Sequence, residues 1–272
     1  MVRLAEVIAA LDAAYDPALA EPWDAIGLVC GDPDEPVTSV LFAVDVTRTT
    51  VAEAIGSGAQ LLVTHHPLFL HGVHGVPTTD HRGRLVHSLI RAGVALHTVH
   101  TNADAARPGV SDALADMLGL VDLRPLLPAD RGPTGTGLGR VGELAAPSTV
   151  AELADRVAAA LPATVAGLRV AGDLARIVRT VAVCGGAGDS LLAAAGAAGA
   201  DAYLTADLRH HPVSDHLAAG GPVVLEAAHW ATEWPWLPVA AGRLAREVGV
   251  RTAVSERITD PWAVHHPSGA IR

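Results

Sequence analysis

The sequence contains no lysine; all 19 of its basic residues are arginine. This excludes a P-loop, whose lysine contacts the phosphates, and any mechanism that runs through a lysine Schiff base. The formal net charge is −10. A nucleic-acid module presents a basic face, so nucleic acid is not an expected partner. Cysteine is nearly missing too. Cys30 and Cys184 stand far apart, form no disulfide framework and fit no CxxC zinc pattern. A reducing, cytoplasmic setting is expected. No apolar run reaches the roughly 18 residues of a membrane span, and Met1-Val2-Arg3-Leu4-Ala5-Glu6 lacks the core of a signal peptide. Aromatic residues make up only 3% of the chain, so the core must be built from Ala, Val, Leu and Ile. Half of the 272 residues are hydrophobic, enough for one large domain or two coupled lobes. Histidine, by contrast, is plentiful at 14 residues. An unpaired buried imidazole is costly, which invites an explanation in terms of a site.

One stretch organises the rest. Leu61-Leu62-Val63-Thr64-His65-His66-Pro67 reads as a buried strand that stops abruptly. Gly58 and Gln60 bound it on one side, and Pro67 cannot extend a sheet on the other. Two imidazoles therefore stand at a strand's carboxyl end, where open α/β sheets bind ligands. Neutral imidazole is a common metal ligand. A bare His-His pair also fits a surface turn, so its meaning rests on what accompanies it.

The first half reads as alternating elements. Leu4, Val7, Ile8 and Leu11 are spaced for one face of a helix. Val37 to Val44 reads as a strand ending at Asp45, and Thr50 with Glu53 as the capping box of a helix to about Ser57. With the His65-His66 strand this makes a β-α-β unit, hence a parallel pair. A loop over 69–81 carries His71, His74 and His81 and reads as the edge of a mobile lid. Arg84 to Ala92 reads as a helix, and Val94 to Val99 as a strand leading into His100-Thr101-Asn102-Ala103-Asp104. His87 and His97 fall in those two elements and are expected to be core or partly buried. From Arg124 to Gly142 the composition turns to Pro, Gly and Arg and reads as a loop or linker. Thr149 and Glu152 form a second capping box.

The second half then echoes the first. Gly172-Asp173 precedes a strand from Ile177 to Cys184, as Gly31-Asp32 precedes Val37 to Val44. After a strand from Asp201 to Thr205, Asp207-Leu208-Arg209-His210-His211-Pro212 resembles Thr64-His65-His66-Pro67 with residues inserted. Pro222 to Leu225 leads into His229-Trp230-Ala231-Thr232-Glu233. That segment matches the one from His100 to Asp104: histidine, three residues, acid. A repeat of this length changes the expected fold. The expectation is an α/β protein of two similar lobes facing each other across a metal-binding cleft. Residues 1–123 form the first lobe, 124–170 a linker with a short strand and helix, and 171–272 the second, all one functional unit.

At a spacing of i, i+4, a histidine and a carboxylate share one face of a helical turn. Each half supplies one such pair just past a strand. With His65 and His66, one cleft can gather at least four imidazoles and two carboxylates. That donor set suits zinc, iron, manganese or nickel rather than calcium. Five or six ligands suit two ions, with Asp104 or Glu233 bridging. Two such ions, about 3.5–4 Å apart, lower the pKa of a bridging water and clamp an oxyanion. Singly, each pair also fits a hydrogen bond at a helix start. Their repeated position and the His-His strand end favour metal. His210 and His211 are expected to line a pocket or steady a ligand, and His265-His266-Pro267 to lie in a polar tail.

Several motifs, in order, resemble the Nif3-like dinuclear-metal family, whose members are often called GTP cyclohydrolase 1 type 2 homologues. They are Trp23-Asp24 with Gly27-Leu28, Thr64-His65-His66-Pro67-Leu68, His100-Thr101-Asn102-Ala103-Asp104, Gly137-Leu138-Gly139-Arg140-Val141-Gly142 and His229-Trp230-Ala231-Thr232-Glu233. The resemblance spans nearly the whole chain. It implies two α/β lobes, a dinuclear site and a toroidal homohexamer. The family's metal ligands match His65, His66, Asp104, His229 and Glu233, without assigning each to an ion. His100 matches a group that steadies a ligand or passes a proton. Longer members carry an extra domain, for which residues 124–170 are too few. Ala25 stands where the family usually has Asn, which removes a polar contact, and Thr205-Ala206-Asp207 where Thr-Gly-Asp is usual.

Two functions compete. In the first, a metal-activated water attacks an electrophilic carbon or phosphorus of a small-molecule substrate such as a nucleotide, while His100 or Glu233 handles protons. Arg209 beside His210 is the candidate for holding an anion. In the second, the ring-forming protein binds or handles metal without catalysis. A regulatory scaffold is a third, weaker reading.

Overall fold

The computed structural model describes residues 1–266; Pro267, which closes the His265-His266-Pro267 run, lies outside them. In chain order the strands are β1 (Val2–Arg3), β2 (Gly27–Cys30), β3 (Pro36–Val37), β4 (Ser39–Ala43), β5 (Leu61–Thr64), β6 (Ala95–Thr98), β7 (Leu120–Pro128), β8 (Gly137–Thr149), β9 (Leu168–Ala171), β10 (Ile177–Ala187), β11 (Ala202–Ala206), β12 (Val223–Ala227) and β13 (Arg251–Val254). The helices are α1 (Leu4–Ala14), α2 (Arg48–Gly56), α3 (His81–Arg91), α4 (Thr101–Ala105), α5 (Val110–Met117), α6 (Val150–Ala160), α7 (Leu192–Ala197), α8 (His210–Ala218), α9 (His229–Glu233) and α10 (Trp236–Val248). Among the described residues no helix is long and apolar enough to cross a membrane.

The fold is mixed α/β, and the chain divides into two compact units. The first comprises Met1–Ala113, Pro128–Leu138 and Trp234–Thr259. Its sheet runs β13-β4-β5-β6-β2, parallel except for the edge strand β2. Strands β4 and β5 are apolar without alternation because both faces of a parallel sheet are covered. Leu41, Leu62 and Leu96 pack with Val51 and Ala54 of α2 and with Val86 and Leu89 of α3. Ala43 pairs with Thr64, and Thr64 with Thr98. The residues that follow β4, β5 and β6 therefore emerge side by side at one edge.

The second unit comprises Leu114–Leu127 and Gly139–Glu233, with the chain from Asp260. Its sheet runs β7-β8-β10-β11-β12-β9. Strands β10, β11 and β12 are parallel, and β8 and β9 are antiparallel to their neighbours. Leu114, Val150, Leu153 and Val157 close its core against Val181, Leu204 and Leu225. The order β10-β11-β12-β9 matches β4-β5-β6-β2: three parallel strands, then an antiparallel one that precedes them in sequence.

Three local expectations are corrected. Helix α2 is capped by Thr47 and Thr50, not by Thr50 and Glu53. Thr50 N–H donates to Thr47 Oγ1 at 3.2 Å and Thr47 N–H to Thr50 Oγ1 at 2.9 Å, while Glu53 accepts from Ser255 Oγ at 2.7 Å. The box of Thr149 and Glu152 forms as read. The stretch from Arg124 to Gly142 is mostly strand, in β7 and β8. Gly132 and Gly135 lie in the turn between these strands, whereas Gly139 and Gly142 serve close approach within β8: a Cβ on Gly142 would lie 2.6 Å from Val121 O. His97 is buried in β6, but His87 faces solvent on α3.

Candidate metal centre

In the first unit the chain turns at the end of β5. His65 and His66 N–H donate to Ala43 O and Val44 O at 3.2 and 2.9 Å, which pins the turn to the end of β4. Thr64 Oγ1 closes it on His66 O at 3.0 Å. His65 is fully buried and His66 partly so. His65 Nδ1 donates to Val99 O at 3.0 Å, and His66 Nδ1 to Asp45 Oδ1 at 2.7 Å. A carbonyl or carboxylate oxygen can only accept, so each Nδ1 carries the proton.

Past β6, His100 precedes the short helix α4. Asn102 fixes that turn: its Oδ1 accepts from His100 N–H at 2.9 Å, and its Nδ2 donates to Tyr15 O at 2.7 Å. His100 Nδ1 donates to Asp24 Oδ1 at 2.8 Å. Burial alone would raise the Asp24 carboxyl pKa, but hydrogen bonds from His100 and Thr101 outweigh it and hold the group well below the usual carboxylate range. The ligand atoms of His65, His66 and His100 lie within 4.8 Å of one another. Asp104 brings Oδ1 to 3.6 Å from His65 Nε2.

In the second unit, α9 follows β12. His229 Nδ1 donates to Asp207 Oδ2 at 2.7 Å, and His229 Nε2 lies 2.9 Å from Glu233 Oε1. Asp207 directly follows β11 with φ at 55°. Gly186, near the end of β10, lies beneath the pair. Its N–H donates to Thr232 Oγ1 at 2.9 Å, and it accepts from Thr205 Oγ1 at 3.0 Å.

The first unit thus gathers His65, His66, Asp104 and His100, and the second pairs His229 with Glu233. The roles of Asp45, Asp24, Asp207 and Gly186 are absent from the sequence reading. An acid just past one strand, beside a neighbouring strand that ends in histidine, was the available signal for Asp45 and Asp207. His210 lines a cavity of the second unit, while Asp207 steadies His229. The donor set of imidazole nitrogens and carboxylates fits a divalent transition metal.

Comparison with known proteins adds to this geometry. Residues 2–261 match the family model Duf34/NIF3 (NGG1p interacting factor 3). The GTP cyclohydrolase 1 type 2 homolog of Streptomyces coelicolor is 56% identical over 272 residues, covering 97% of this chain and 95% of that protein. The protein of the same name from Clostridium perfringens is 32% identical over 265 residues, covering 96% and 99%. A Bacillus cereus protein related to NIF3 has a similar fold, with a TM-score of 0.88 at 24% identity, covering 97% of this chain and 99% of that one. On the match along almost its whole length, the chain belongs to the Duf34/NIF3 family.

Proposed function

We propose that the protein is a metal-dependent hydrolase that binds a pair of divalent cations, zinc, iron, manganese or nickel. His65, His66 and Asp104 would hold them from the first unit, and His229 and Glu233 from the second. The observation that carries this reading is the shared anchoring of the imidazoles. His65, His66, His100 and His229 each commit Nδ1 to an oxygen acceptor. Each neutral ring then presents Nε2 as a lone pair, the usual arrangement of metal-binding histidine. Two of these lone pairs face carboxylates, at 3.6 Å for His65 and Asp104 and 2.9 Å for His229 and Glu233. Lone pair and carboxylate repel unless a proton or a metal cation lies between them. Protonating His65 instead would place a charge on a fully buried ring whose facing carboxylate, Asp104, lies at 3.6 Å, beyond hydrogen-bond distance. Zinc bonds of 2.0–2.1 Å set adjacent tetrahedral ligands about 3.3 Å apart, close to both separations. The matching strand orders and the repeated His-x3-acid segment support a duplicated ancestor for the two units.

When bound, the ions would supply Lewis acidity, making water acidic and stabilising an oxyanion. The chain's own residues do the rest. The Asp24 carboxylate keeps the His100 proton on Nδ1, so Nε2 is free to take a proton from the attacking water and return it to the leaving group. Trp23 is 56% exposed and meets His100 edge-on, with ring centroids 6.0 Å apart. It offers a stacking surface for a planar substrate. The relatives' name supports a purine nucleotide, whose ring opening requires activated water. The family resemblance supports a toroidal homohexamer, and the near absence of cysteine supports a cytoplasmic location.

The test starts from metal-stripped protein reloaded with zinc, manganese, iron or nickel. Metal analysis should find two ions per chain, and the loaded protein should turn over a nucleotide, phosphoester or amide substrate. His100→Gln should lose turnover and keep both ions; His65→Ala should lose an ion. Two bound ions with no turnover on any substrate would move the reading to a non-catalytic metal-binding protein. Fewer than two ions in the wild type would remove the dinuclear centre.

A further inference from the structure

Strand β12 sends its side chains alternately to two faces. Val223, Leu225 and Ala227 enter the core of the second unit, which leaves Val224 and Glu226 on the opposite face. Helix α8 covers that face incompletely. None of its residues is fully buried, although Val213 and Leu217, four apart, form an apolar stripe. Between α8, β12 and the edge strand β9 lies a cavity of about 480 Å³. That is within the roughly 300–1,000 Å³ of small-molecule sites.

The walls are apolar, from Ala171, Val213, Leu217 and Val224, and the rim is charged. Arg169 pairs with Glu226 across the β9–β12 ladder, which balances one charge. Arg209 reaches Asp189 through Nε and Nη2, both at 2.6 Å. A guanidinium has five N–H donors, so Nη1 keeps donors for a second acceptor. Glu226 offsets Arg169 and Asp189 offsets Arg209, so the rim is charge-balanced, and Arg209 engages an anion through its Nη1 donors rather than through an excess of charge.

We propose that this cavity binds a small organic monoanion, its apolar body against Val213, Leu217 and Val224 and its anionic group on Arg209. The site stands apart from the metal reading, because no candidate metal ligand lines it. The probe is 8-anilinonaphthalene-1-sulfonate, titrated by fluorescence into the full chain, with and without EDTA. One saturable site per chain is expected in both conditions. Arg209→Ala, at an exposed position, should weaken binding at least tenfold while the circular dichroism spectrum stays unchanged. Val213→Trp should fill the cavity and abolish binding. N-phenyl-1-naphthylamine, with the same rings but no sulfonate, should bind at least tenfold more weakly and ignore Arg209→Ala. No saturable binding, or equal binding in wild type and Arg209→Ala, would overturn the proposal. Loss of binding in EDTA would do the same, by tying the probe to metal.

Discussion

Gly186 is where a single methyl group can question the second half-site. Its φ is 70°, a left-handed conformation that costs an L-residue about 1–2 kcal/mol. A Cβ there would lie 2.4 Å from Glu233 Oε1 and 3.2 Å from His229 Nε2. Ordinary contact begins at 3.4 Å, so the carboxylate must retreat by the difference from 2.4 Å, about 1 Å. Metal–ligand distances tolerate only about 0.2 Å. Glu233 would therefore leave an ion held as proposed. Disturbing even the groups that orient ligands costs roughly 10–100-fold in metal affinity, so losing a ligand should cost at least about 100-fold. Gly167→Ala is the control, because its φ is 61° and nothing lies within 4 Å of its Cβ. Gly167→Ala should lose about 1–2 kcal/mol in guanidinium unfolding of the metal-free protein, and Gly186→Ala at least as much, because its Cβ also displaces Glu233. Only Gly186→Ala should fall from two tightly bound ions to one in calorimetric titration with zinc. Two ions at wild-type affinity in Gly186→Ala would remove Glu233 and His229 from the ligand set.

Other perturbations probe the anchors and the frame. Asp45→Ala and Asp207→Ala each free one imidazole and should weaken metal binding about 10–100-fold in competition with a chelator; unchanged affinity would refute the anchoring argument. His97 is 2% exposed, its Nδ1 has no hydrogen-bond partner, and burial pushes its pKa from 6.5 down to about 4. Below pH 6.5 the unfolded chain takes up a proton that the folded one refuses, so this group costs stability progressively as pH falls toward 4, by up to about 3 kcal/mol. His97→Leu should flatten the urea-unfolding profile of the metal-free protein between pH 7 and pH 4.5; an unchanged slope would show that the loss arises elsewhere. Thr149→Ala removes one half of a capping box and should cost about 1 kcal/mol in thermal unfolding, whereas a shift near zero would mean that packing alone holds α6.

Several features were legible because one residue type enforces them. Leu61-Leu62-Val63-Thr64 must be buried, and Pro67 must stop it, so His65 and His66 could be placed at a strand end before any coordinates. The i, i+4 spacing put His100 near Asp104 and His229 near Glu233 on short helical turns. Other features depend on partners distant in sequence. Gly139 and Gly142 look like loop glycines until Val183 and Val121 are seen pressing against them. Thr50 looks like a cap until Thr47, three residues earlier, claims the role. Asp24 holds His100 across 76 positions, a distance at which no local pattern operates.

The echo of His65-His66 in His210-His211 shows how a repeated frame can mislead. By strand order, β4, β5 and β6 correspond to β10, β11 and β12. In the first unit the anchoring acid, Asp45, follows β4, and its imidazole, His66, follows β5. In the second the acid, Asp207, follows β11, and its imidazole, His229, follows β12. The acid of the second unit stands one strand further along. Where β5 ends in imidazoles, β11 ends in the carboxylate that steadies the next strand's histidine, and α8 carries His210 and His211, the first of which lines another cavity. Neighbouring parallel strands end at one edge, so an acid past one strand reaches an imidazole past the next. The geometry constrains the relation between adjacent strand ends, not which strand bears which group. A repeat in sequence can therefore preserve the frame while its donors change places. His-x3-acid recurs in both units, each time across one short helical turn.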